Sequence, residues 1–236
     1  MPGFNRAPLS ATAQASATAP TNGDVVATTP SPITSLSEKL WGLELNRGLP
    51  HVLSHDGITA MPGDLSRVRS FLAEEFPWFG EESFGAPPNE TIVDAKRWYL
   101  RSACDAIELR LEDRTIGVFV GAPEDWSSYY IRIFAVLQTY QRPALIRRFG
   151  RECVFEPLAR HHVERVVADT SPANLAMSRC FTELHFHVTG HQLSDRWGPL
   201  VRYTKFLEPA CEAAFLKRFA GIAAGGPTRT GKEEPP

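Results

Sequence analysis

The chain has 236 residues, of which 43% are apolar and 22% charged, an ordinary composition for one globular core. Its 25 Lys and Arg stand against 27 Asp and Glu, a net charge of -2, so no global electrostatic argument points to a nucleic-acid or anionic-membrane partner. No run approaches the roughly 20 consecutive apolar residues that span a bilayer. The N-terminus lacks the apolar core of a secretory signal, and the expected location is cytoplasmic.

Residues 1–35 are rich in Ala, Thr, Ser and Pro, with only Arg6 and Asp24 as charges, too few large apolar groups to offset the entropy of ordering. A disordered tail is expected there. The lone Arg6 argues against an organellar transit peptide. From Gly221 the chain is again Gly- and Pro-rich, so the sequence reads as one domain over 36–220 between tails at 1–35 and 221–236.

Within the domain, Ile58 to Met61 reads as a short strand, and Leu65, Val68, Leu72 and Phe76 fall at helical spacing behind Asp64, an N-cap candidate. A second helix is expected from Asn89 to Leu100, after a loop holding Trp78, Phe79 and Phe84. Ala106–Leu111 and Thr115–Val120 make a hairpin around Glu112-Asp113-Arg114, and Tyr129–Leu137 adds a third strand. After Pro143 the period changes to that of a helix carrying Leu145, Phe149 and Cys153 beside Arg147, Arg148 and Arg151. Then follow a strand at Val163–Ala168, a helix at Pro172–Leu184, and extended runs at His185–Val188 and Leu200–Phe206.

Chemistry concentrates where strand Tyr129–Leu137 meets the helix opening at Pro143. First-turn N–H groups and the helix dipole can hold a phosphate at such a junction. Cys104, Cys153, Cys180 and Cys211 form no CxxC pair and no zinc-type cluster, and read as reduced thiols. His161-His162 and His185-x-His187 with His191 could suggest a metal, but His161 and His162 end a helix and the other pair lacks an assured third ligand, so none is expected. The aromatics Phe76, Trp78, Phe79, Phe84, Trp98 and Tyr99 read as core, or as the lining of a pocket for a large acceptor or acyl chain.

The stretch Val136-Leu-Gln-Thr-Tyr-Gln-Arg-Pro-Ala-Leu-Ile146 resembles the strand-4 and pyrophosphate-loop segment of the GNAT superfamily of N-acetyltransferases, with signature Q/R-x-x-G-x-G/A. Gln141, Ala144 and Ile146 take the signature positions. Downstream, Asp169-Thr-Ser-Pro-Ala-Asn174 and Ser178-Arg-Cys-Phe-Thr-Glu-Leu-His-Phe186 resemble the family's second motif, an Asn followed by a helix ending in Tyr-x-x-x-Gly-Phe. Upstream, Ile58-Thr-Ala-Met-Pro-Gly-Asp64 resembles the opening strand and helix, so the likeness covers 57–207.

The resemblance implies a mixed, mostly antiparallel α/β sheet flanked by helices, parallel where strands 4 and 5 splay apart around an acyl-CoA thioester. It implies that Val136 and Leu137 offer backbone groups to the pantetheine arm. Gln141, Arg142, Ala144, Leu145 and Ile146 would surround the pyrophosphate, and Asn174 would touch the cofactor near the thioester. The reaction implied is transfer of an acetyl or longer acyl group to an amine of a small molecule, an amino sugar or a peptide side chain. An acyl-carrier protein could stand in as donor, no metal is implied, and a homodimer is compatible with it. The sequence departs from the pattern at Ala144 and Ile146, where the family has glycines, at Phe181, where it has the proton-donating Tyr, and at His185, where it has Gly. Asp169, Tyr140 and His185 are therefore the candidates for handling protons. A catalytically silent binding protein on the same fold is the competing expectation.

Overall fold

A computed structural model describes residues 35–54, 56–77, 98–99, 102–194 and 197–224. The expected loop aromatics and most of the helix at 89–100 lie outside these residues. The elements are α1 (Leu36–Trp41), β1 (His51–Val52), β2 (Ile58–Pro62), α2 (Leu65–Glu75), β3 (Asp105–Leu111), β4 (Arg114–Pro123) and β5 (Ser128–Val136). They are followed by α3 (Pro143–Phe149), α4 (Glu156–Arg160), β6 (Arg165–Thr170), α5 (Leu175–Glu183), β7 (His187–Ser194), β8 (Gly198–Phe206) and α6 (Pro209–Ala224). A π-helical turn, Gly150–Phe155, joins α3 to α4 without a break. Helix α6 carries ordered secondary structure past the expected boundary at 220. No helix among the described residues is long and apolar enough to cross a membrane.

The strands form one sheet in the order β1-β2-β3-β4-β5-β6-β8-β7. Every neighbouring pair is antiparallel except β5 and β6. Those two pair from Ser128 opposite Arg165 to Ile131 opposite Ala168. Beyond that point β5 runs on to Val136 while β6 stays with β8 through Thr170. The cause lies on the other edge of β5: Gly121 faces Ile131 and Val120 faces Ile133, which leaves Arg132 as an extra residue. Such a bulge bends and twists the strand that carries it, here away from β6.

Aromatic rings fill the layer between the sheet and α3. Phe134 lies flat on Phe149 at 5.2 Å, and Phe119 meets Phe149 edge-on at 5.5 Å. Tyr129 is fully buried and lies over Gly121, its hydroxyl donating to Asp105 at 3.0 Å across two strands. A Cβ at position 121 would stand 2.3 Å from that ring. Helix α2 is capped by Asp64, whose carboxylate accepts from the Ser66 N–H, and it buries Val68, Phe71 and Leu72.

The N-terminal segment is pinned by contacts distant in sequence. His51 Nε2 lies 2.7 Å from Glu152, Trp41 Nε1 donates to the Trp126 carbonyl at 2.8 Å, and His161 Nδ1 lies 3.0 Å from the Trp41 carbonyl. Burial alone would raise the Glu152 carboxyl. Hydrogen bonds from His51, Arg148 and Arg151, with the Arg148 charge, outweigh that and hold it at about 2.

Two outcomes are expected. Gly121→Ala forces the Tyr129 ring off its seat and strains its bond to Asp105, a loss of about 2 kcal/mol read as a lower urea midpoint. Because the Glu152 pKa is depressed on folding, its contribution is fully present above the ordinary carboxylate range and lost as pH falls through it toward about 2. Urea titrations between those limits should show the loss in the parent chain and a flatter profile in Glu152→Gln.

Candidate functional site

At the end of β5 the chain turns through one 3-10 turn, Gln138–Tyr140, and enters α3. Arg142 is the N-cap residue and contributes no side-chain cap. Pro143 has no N–H, and the Ile146 N–H already reaches the Arg142 carbonyl at 3.1 Å. The N–H groups of Ala144 and Leu145 are left as the first-turn donors. Arg142 and Ala144 are exposed, whereas the Leu145 side chain is buried in the core, so Leu145 can offer a ligand only its backbone. The Arg142 guanidinium pairs with Asp56. Arg147 and Arg148 are committed elsewhere, to Glu183 and to Glu152 with the Leu53 carbonyl.

Strand alternation decides which backbone groups look into the splay. The Leu137 N–H donates to Ile116 of β4 at 2.9 Å, and its carbonyl accepts from Tyr140. Leu137 is thus turned away from the splay and used up, contrary to the role implied for it. Val136 and Phe134, one and three positions earlier, direct theirs the other way. The Val136 carbonyl accepts from the Gln141 side-chain amide at 2.8 Å, so Gln141 closes the loop on the strand and sits beside the loop that it was expected to line. Phe134 was not among the residues expected from sequence; its outward backbone follows only once the bulge at Arg132 is known.

The proton-handling candidates are scattered. Asp169 sits in β6, not in a turn, with its side chain 3% exposed. Both of its oxygens are bound by Arg202 of β8, at 3.1 Å each, and Arg202 also reaches Glu124 at 3.1 Å. The Tyr130 hydroxyl is bonded to the same carboxylate; burial first, then the charge of Asp169, push its pKa up to about 12. Tyr140 lies half-buried on the loop, against the core. His185 is exposed in a left-handed turn (φ 60°), the conformation for which glycine is suited, past the C-terminal end of α5. Asn174 caps the other end, accepting from the Met177 N–H at 3.1 Å. Asn174 and His185 thus stand at opposite ends of the nine-residue α5, about 14 Å of helix apart.

Phe181 is 4% exposed and packs on Phe186 and Tyr203 at centroid distances of 4.9 and 4.8 Å. With Ile131, Phe134, Ile146, Phe149 and Met177 it borders an apolar cavity of about 30 Å³ beside the splay. Among the described residues no group of His, Cys, Asp and Glu is arranged to hold a metal.

Replacing Asp169 by Asn removes the charge that raises the Tyr130 hydroxyl. Tyrosinate absorbance against pH should then show that group ionising clearly below about 12, with Tyr130→Phe identifying the transition.

No family model matches the chain, and no curated protein does. Among solved structures it is similar to an acetyl transferase from Salmonella typhimurium that modifies the N-terminal serine of ribosomal protein L7/L12. That match has 14% identity over 65% of this chain and 96% of that one, with a TM-score of 0.48. It is also similar to spermidine N-acetyltransferase from Vibrio cholerae in complex with CoA and spermine (12% identity, 64% and 95% covered, TM-score 0.48). A third is a GNAT family acetyltransferase from Elizabethkingia anophelis with acetyl-CoA bound (13%, 63% and 97%, 0.42). The strand order and the single parallel pair β5/β6 give the mixed, mostly antiparallel α/β arrangement that the sequence resemblance implied.

Proposed function

We propose that the protein is an N-acyltransferase that takes an acyl group from an acyl-CoA and passes it to an amine. The observation that carries this reading is the splay itself. Among the described residues the edge of β5 past Ile131 has no strand partner on the β6 side, and an extended arm containing amides can pair with such an edge as an added strand would. The Val136 N–H and the backbone of Phe134 are the groups available to it. At the end of that edge the Ala144 and Leu145 N–H groups and the exposed Arg142 suit a diphosphate, so coenzyme A fits the chain's own donors. Asn174, exposed at the start of α5, keeps its side-chain N–H donors for the cofactor end nearest the thioester.

Coenzyme A supplies the thioester; the amine lone pair forms the C–N bond, the C–S bond breaks, and the amine proton ends on the departing sulfur or on solvent. The protein's work is orientation and exclusion of water. Asp169 contributes by holding Arg202 and Tyr130 beside the point where the strands part, and we assign it that positioning task in place of proton transfer. Phe181, which has no proton to donate, leaves the thiolate to leave unassisted by that residue.

A second reading, a silent binding protein, draws on one observation: the cavity beside the splay is narrow and walled by apolar side chains. Calorimetric titration of the full chain with CoA and acetyl-CoA separates the two. The transferase reading expects saturable binding that Arg142→Ala weakens by about tenfold and acetyl consumption when amines are supplied. Binding without turnover favours the silent protein, and no binding of either compound overturns the coenzyme A assignment.

A further inference from the structure

Where the seam between β5 and β6 opens, the two faces of the sheet differ. Ile131, the last residue of β5 to pair with β6, borders the apolar cavity on the side of α3 and α5. On that side Phe119, Phe134, Phe149 and Phe181 wall off a thioester lying along β5, and a polar amine arriving there would give up its hydrogen bonds to water without replacement. Strand alternation turns Tyr130 to the opposite face. Asp169, bonded to the Tyr130 hydroxyl, shares that face with Arg202 and Glu124. The side chains of Arg202 and Glu124 are 36% and 33% exposed, so solutes reach the cluster from solvent.

Within the cluster one atom has bonding capacity left over. Both oxygens of Asp169 are taken by Arg202, at 3.1 Å each, so the carboxylate cannot swing. The Tyr130 hydroxyl gives its single proton to that fixed carboxylate as a hydrogen bond, which leaves the phenolic oxygen as an acceptor of set direction. Burial, then the charge of Asp169, keep the hydroxyl protonated up to about 12. Arg132, the extra residue of the bulge, donates to the Cys104 thiol and adds positive charge near Tyr130. A positive charge disfavours protonation of an amine beside it and so favours the neutral form that attacks a thioester.

We propose that Tyr130 positions the incoming amine: its phenolic oxygen accepts an N–H from the neutral amine at the open end of the seam and so directs the nitrogen lone pair at the thioester carbonyl in the splay. This rests on the acyl-CoA reading given above. Tyr130 does not take over the proton donation that Phe181 lacks, because its own proton stays on Asp169 and it stands on the other face of the sheet. Its part is to hold one N–H so that the lone pair, the only remaining reactive direction, faces the carbonyl carbon.

The test is steady-state kinetics of the full chain with acetyl-CoA and, in turn, n-butylamine, glucosamine and a lysine-containing peptide, followed with whichever amine is turned over fastest. Tyr130→Phe keeps the ring and removes one oxygen. It should raise KM for the amine about fivefold, while KM for acetyl-CoA and the calorimetric affinity for CoA stay within about twofold of the parent. Asp169→Asn leaves the hydroxyl without its carboxylate; a rise in the amine KM of about threefold is expected there, and this variant carries the test if Tyr130→Phe does not fold. An unchanged amine KM in the folded variants overturns the proposal and leaves the transferase reading standing. So does a parallel rise in both KM values, which marks a general distortion of the sheet. CoA binding without turnover of any of the three amines overturns the proposal in favour of the silent protein, and no binding of CoA overturns the coenzyme A assignment and the proposal together.

Discussion

The molecule depends on a short seam. Strands β1 to β5 form one antiparallel half of the sheet and β6, β8 and β7 the other, and the pairing from Ser128–Arg165 to Ile131–Ala168 joins them. The seam must be strong at one end and open at the other. It is reinforced at its closed end by Arg165, whose guanidinium bonds the Ser128 hydroxyl at 2.6 Å and reaches Asp125. One residue beyond its open end, Asp169 and Arg202 lock β6 to β8. The bulge at Arg132 then carries β5 away, and the gap exists because both flanking strands are held independently.

That arrangement explains why Asp169 behaves as it does. A carboxylate at the mouth of a cleft invites assignment as a base, but its two oxygens serve a guanidinium and a phenol. Removing one partner of such a buried set leaves an uncompensated charge, which is more damaging than the pair is stabilising. The cluster is best understood as a clamp that shapes the cleft.

Much of this was legible in the chain itself. The hairpin around Glu112, the N-cap Asp64 and the strand-to-helix junction at Pro143 all follow from local spacing and turn chemistry, and all are present, whereas the helix expected from Pro172 begins at Leu175 behind Asn174. What local patterns do not carry is the identity of neighbours. Arg202 could not be matched to Asp169 without knowing that β8 lies between β6 and β7. The direction of the Phe134 and Leu137 backbones hangs on one extra residue, Arg132, which alternation of Tyr, Ile and Phe along the strand conceals. His185 looked like the first residue of a strand; its left-handed backbone makes it the last residue of a turn, and β7 begins at His187. Helix α6 was hidden by the Gly- and Pro-rich ending that follows it.

The anchoring of the N-terminal segment bears on the order in which the protein can be made. Trp41 and His161 are 120 residues apart, and His51 and Glu152 are 101 apart. At a synthesis rate of roughly 10 residues per second, the first strand must wait about ten seconds after leaving the ribosome before the helix that receives it exists. Until then β1 and β2 present an unshielded edge, the kind of surface on which nascent chains associate wrongly. The last contacts to close thus involve the part of the domain made earliest, and a chaperone acting on this protein would find its early substrate in residues 36–62.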